Sequence, residues 1–228
     1  MELKTVFEQC PNEHFGKKSN CYNAAMENQD KKSTHLIASS ILLAAVLVGI
    51  GIASRLLLAD WPNFNPTIAI AIFIGYAIGN RWIGASAIVL MMGISDAVIG
   101  FYDLRIMLSV YGGFIVAWML GFAFRRLIDS PGFAAKFSGI VAPAIISSLT
   151  FFLITNSACW LVGWYPMTWD GLVSSLVAGL PFLRSALTGN VFFCTLIFSV
   201  HFAIQFSRKE QTSGSPGRSR IANDSRSV

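Results

Sequence analysis

Polar and charged side chains set inside long apolar stretches are where this chain has chemistry to offer. Left unpaired in hydrocarbon such groups are costly, so they face a cavity, each other or a neighbouring helix. Asp96 lies in Ser95-Asp96-Ala97-Val98-Ile99-Gly100-Phe101-Tyr102-Asp103, with Asp103 one to two turns further along. The deeper Asp96 is the candidate ligand or proton site, and equally a candidate partner for Arg55, Arg105 or Arg184. Thr155-Asn156-Ser157 interrupts a second apolar stretch, and Trp160 follows Asn156 by one helical turn on the same face. An amide beside a ring suits a flat polar ligand; it also suits interhelical hydrogen bonding with the ring as an interfacial anchor. Asn190 is open to the same two readings. Tyr111 and Arg184 complete the candidate ligand set of Asp96, Tyr111, Asn156, Trp160 and Arg184.

Other chemistry has few parts here. There is no paired-His motif, no Gly-x-Ser-x-Gly and no Gly-x-x-x-x-Gly-Lys loop, so the expectation is binding and not catalysis. Cys10, His14 and Cys21 are one ligand short of a closed zinc site at irregular spacing, so no metal and no cofactor is expected. Cys159 and Cys194 read as buried thiols acting as small hydrophobes.

These residues must be positioned by membrane helices. Of 228 residues 54% are hydrophobic and only 13% charged, too little charge for a soluble domain. The oily part is bounded by a polar segment at 1–35 and a basic, Ser- and Gly-rich one at 207–228, which is expected to be disordered. Between them, residues 36–206 divide into six spans: 36–58, 67–79, 82–101, 106–124, 138–162 and 181–206. The second is short for a hydrocarbon layer of about 30 Å, which suggests little tilt or a re-entrant segment. Leu172, Val173, Leu176, Val177 and Leu180 recur at helical spacing, predicting a separate interfacial helix before Pro181 opens the last span. Continuous rather than alternating apolar runs make the fold all-α, not a barrel.

Orientation follows from Lys and Arg. With both termini cytoplasmic, fourteen of the seventeen lie on the inner side, leaving Arg55, Arg105 and Arg184 near outer span ends. The net charge of +5 is therefore a sign of topology in an inner (cytoplasmic) cell membrane and not of nucleic-acid binding. Two outer loops are aromatic and Pro-rich: Trp61-Pro62-Asn63-Phe64-Asn65-Pro66, and Gly163-Trp164-Tyr165-Pro166-Met167-Thr168-Trp169-Asp170-Gly171. Trp61, Asn63, Phe64, Trp164 and Tyr165 are the candidate gating residues over an outward pocket. Ala45, Gly49 and Ala53 form a small-residue face that admits a close helix, internal or from another subunit.

Arg55 with Pro62-Asn63-Phe64, Ser95-Asp96, Val110-Tyr111, the segment Phe152–Trp160, Tyr165-Pro166, Gly171-Leu172 and Pro181-Phe182 together resemble an uncharacterised bacterial family of six-span membrane proteins, over about Leu42 to Phe198. That family is in turn similar in size and topology to the substrate-binding S components of energy-coupling factor (ECF) vitamin transporters. The resemblance implies an outward pocket gated by the first outer loop, a vitamin-like small molecule as ligand, and a first helix docking on a transmembrane coupling subunit that works with ATPases. Asn190 departs from the pattern, standing where an acidic residue is expected. The expected function is substrate capture; the alternative is a structural or accessory membrane protein.

Overall fold

A computed structural model describes residues 15–58 and 64–213. Every element among the described residues is a helix: α1 (Phe15–Leu57), α2 (Thr67–Ala77), α3 (Arg81–Ile99), α4 (Leu104–Ala123), α5 (Arg125–Ile128), α6 (Phe133–Leu161) and α7 (Trp169–Ser213). Five of these, α1, α3, α4, α6 and α7, are long and apolar enough to cross a bilayer. The protein is an all-α membrane bundle.

The second expected span has a different part to play. At 11 residues, α2 is about 16 Å long, roughly half a hydrocarbon layer. It is apolar all round, and Thr67 through Gly75 are all buried, as a helix without a polar face must be. It forms the axis on which the long helices pack. Gly75 lies against the Trp118 carbonyl and Gly121 against the Ile72 carbonyl, so a Cβ at either place would overlap backbone of the facing helix. These two glycines let α2 and α4 meet backbone to backbone.

One end of α2 is fixed at the α4–α6 connection. Arg125 donates from Nε to the Gly75 carbonyl (3.1 Å) and from Nη2 to that of Ile78 (2.6 Å), satisfying open carbonyls at the helix C-terminus with a cation that suits its dipole. Beside it the Tyr76 hydroxyl donates to Asp129 Oδ1 (2.8 Å). Around this half of α2 the core is dense: Phe73 meets Phe198 edge-on at 5.2 Å and His201 at the same distance, and Tyr76 caps both rings.

Local signals set the helix starts. Asn80 Oδ1 accepts from the Trp82 and Ile83 amides to cap α3, and Asp103 Oδ1 accepts from those of Arg105 and Ile106 to cap α4. Thr168 Oγ1 accepts from the Gly171 amide at the start of α7. Asp103 is therefore a cap, exposed and ion-paired with Arg105 at 3.3 Å.

One expected boundary moves, and one lies inside a continuous helix. The apolar repeat at 172–180 is no separate interfacial helix, because α7 runs unbroken from Trp169 through Pro181 to Ser213. Ser175 and Gly179, on the near side of that proline, are held against α6, so the helix keeps its course despite the lost amide. α1 likewise crosses the expected tail boundary at residue 35 in one helix.

Candidate functional site

Because α2 is short and anchored at the Arg125 end, it leaves the opposite half of the bundle without an axis. A cavity of about 500 Å³ occupies that space, with Asn65, Thr67 and Ile68 at the tip of α2 as its floor. On α6 the wall is Ser148, Phe151, Phe152, Thr155, Asn156 and Cys159, a helical stripe of spacing three and four. On α7 the matching stripe is Ser175, Ala178, Gly179, Phe182, Leu183, Ala186 and Asn190. Val110 and Phe114 close the α4 side, Phe114 meeting Phe151 edge-on at 5.6 Å. Arg55, Tyr102, Trp164 and Tyr165 line the end nearest the 100–103 and 162–168 connections.

Arg55 is held from behind. Its Nη2 donates to Asp96 Oδ1 and its Nη1 contacts Met92 Sδ, both at 2.6 Å. The Asp96 side chain is 1% exposed and that of Arg55 16%. The other Asp96 oxygen meets no hydrogen-bond partner, and besides Arg55 the polar group beside this carboxylate is the Tyr111 hydroxyl. The Tyr111 hydroxyl reaches α3 beside Gly93, one turn from Asp96, and feels its charge. In the α3–α4 connection, burial and then the Asp96 charge push the Tyr102 phenol above its ordinary pKa, opposed by Arg55.

The amides are tied to the helices that carry them. Asn156 Nδ2 donates to the Phe152 carbonyl (2.8 Å), and its backbone carbonyl accepts from Ser175 Oγ (2.8 Å). Its side chain lies over Gly179, where a Cβ would collide with the amide. Deeper down, Asn190 Nδ2 donates to Ser148 Oγ (2.8 Å), whose hydroxyl in turn donates to the Ala144 carbonyl (2.8 Å). Asn190 is thus a neutral tie between α6 and α7 with its side chain on the cavity wall.

The expected site residues separate into groups. Asn156, Trp164 and Tyr165 line the cavity; Asp96 and Tyr111 stand behind Arg55, outside the wall. Trp160 braces the α6–α7 turn that carries Trp164 and Tyr165 by donating from Nε1 to the Pro166 carbonyl (2.9 Å). Phe64 packs at 5.4 Å on Phe193 and against Gly189, deep beside the floor and not across the mouth. Arg184 is exposed on the other face of α7. Trp61 and Asn63 lie outside the described residues, as do Cys10 and His14. Among the described residues no three His, Cys, Asp or Glu side chains cluster as metal ligands would.

Arg55, one of the three expected partners of Asp96, is the arginine that pairs with it and lines the wall; Ser148, Ser175 and Asn65 are wall residues that single-residue reasoning passes over. Their signal is collective: Ser148, Thr155, Asn156 and Cys159 on one span, and Ser175, Gly179, Ala186 and Asn190 on the next, keep small or polar groups at helical spacing.

The model of a family of unknown function, DUF6580, matches residues 35–212, which includes every residue of the cavity wall. The chain belongs to that family. No curated protein and no solved structure matches it. For this DUF6580 protein the cavity and its stripes are therefore part of the family's own segment, and what they do must be argued from their chemistry.

Proposed function

We propose that this protein is a substrate-capture subunit of the bacterial cytoplasmic membrane, with both termini inside and the cavity open outward. The observation that carries the reading is the cavity itself: about 500 Å³, inside the usual range for small-molecule sites, with two polar-and-aromatic helical stripes facing each other across it. A vitamin-sized molecule fits such a space. Orientation rests on the basic residues, because Arg81, Arg125, Arg126 and Lys136 gather at the end of the bundle opposite the cavity.

With no phosphate-binding loop in this sequence, active uptake would draw on partner subunits or on an ion gradient. A transmembrane coupling subunit with ATPases, as for the S components of ECF transporters, would be such a partner. Ala45, Gly49 and Ala53 lie exposed along α1, and nothing stands within 4 Å of a Cβ built at Gly49, so a second helix has room to approach there. The work of this chain is then binding, not chemistry.

A structural or accessory role is the second reading, favoured by the way Arg55–Asp96 and Asn190–Ser148 tie helices together. Native mass spectrometry of the detergent-solubilised protein, taken from cells expressing it natively, separates the two. Capture predicts a co-purifying small molecule, absent from Ala186→Phe, in which a ring fills the cavity from the α7 wall. Repeated recovery of empty wild-type protein would leave the accessory role.

A further inference from the structure

We infer that the cavity receives an anionic group on Arg55, so that its ligand joins a carboxylate or phosphate to a flat or apolar body. This rests on the capture reading and names its substrate class. Among the described residues Arg55 is the one charged side chain on the cavity wall; the carboxylate nearest to it, Asp96, is buried behind it. A guanidinium has five N–H donors in a planar fork. Asp96 and Met92 engage one on each Nη, so the remaining donors are open to a second oxyanion. Arg55 lines the cavity with its side chain 16% exposed.

The floor has the same polarity. Asn65, Thr67 and Ile68 place the N-terminus of α2 under the cavity, where Asn65 Oδ1 accepts from the Thr67 amide (3.2 Å). The positive end of the α2 dipole, worth about half a charge, therefore lies at the cavity floor. This offsets part of the charge left when one arginine serves two anions. Ser148, Ser175, Asn156 and Asn190 are neutral, and the aromatic walls from Phe151, Phe152, Phe182 and Trp164 suit a ring or short apolar chain. Anion at Arg55 and apolar body between α6 and α7 is the one polarity that this wall satisfies.

Substitutions separate recognition from folding. Arg55→Gln alone strands the buried Asp96, so the decisive variant is the double substitution R55Q/D96N, which removes both charges and keeps both shapes. Small molecules released on denaturing wild type, D96N, R55Q/D96N and A186F, each purified as the full chain, are identified by mass spectrometry in both polarities. The expected result is an acidic small molecule in wild type, retained or enriched in D96N because its internal competitor is gone, and reduced at least tenfold in R55Q/D96N and in A186F. A neutral or cationic ligand lost only from A186F overturns the inference while leaving capture intact, as does an acid retained by R55Q/D96N. A phospholipid as the one Arg55-dependent species would keep the anion contact and overturn the small-molecule class. Empty wild-type protein overturns both readings.

Discussion

The two halves of this bundle are built from the same five long helices and differ in whether α2 runs between them. In the half nearest Arg125, Ile72, Phe73 and Ile74 fill the axis and glycines bring backbones into contact; Phe198 is fully buried there. In the half nearest Arg55 the axis is empty, and serines, asparagines and rings face the space instead. A helix half the thickness of a bilayer thus makes both a core and a hollow. Bulk should be ruinous in the first half and harmless in the second.

Gly121→Val is the hardest blow to that contrast. Its added carbons must displace the Ile72 backbone, and overpacking with no flexible side chain to yield should cost on the order of 3 kcal/mol. Thermal unfolding in detergent reads it directly; an unchanged midpoint would mean that α2 and α4 are not in contact. Arg55→Gln comes next, at about 2 kcal/mol. Breaking a fully buried pair costs more, but Arg55 is open to the cavity and part of the loss is screened. Adding Asp96→Asn should return most of that stability, and a cycle in which the double variant is worse than the single one would deny the pairing. Asn190→Ala removes the Ser148 tie and should cost about 0.6 kcal/mol, the usual worth of an interhelical hydrogen bond in a membrane. Ala186→Phe, despite adding a whole ring, should shift stability by less than about 0.5 kcal/mol because the ring enters existing space. A loss as large as that of Gly121→Val would erase the difference between the halves.

Helix existence and approximate limits were legible from residue type, because length and apolarity alone decide which segments can lie in a bilayer. The central place of α2 was not. Ile68 to Phe73 would look the same facing lipid as facing protein, since acyl chains are as apolar as isoleucine. The shortness of that segment was visible; that it would hollow out the other half depends on which end Arg125 holds. Pro181 read as a helix start because proline favours the first turn, yet packing of Ser175 and Gly179 on α6 carries α7 through it. In the site, Asn156, Trp164 and Tyr165 were found by chemistry, whereas Arg55 and Arg184 are alike in type and estimated depth. Only the rotation of α1 and α7 about their axes turns one inward and the other out, and that is a property of packing.

Two native cysteines test the central claim without new chemistry. Cys159 lies on the cavity wall, and Cys194 is fully buried on α7 in the filled region. With Cys10 and Cys21 replaced by serine, right-side-out and inside-out vesicles are treated with a membrane-impermeant maleimide. The account predicts labelling of Cys159 from the outside only, and none of Cys194 from either side. A Cys159 that stays unmodified from outside, or a Cys194 that reacts as fast, would contradict an outward cavity above a solid inner core.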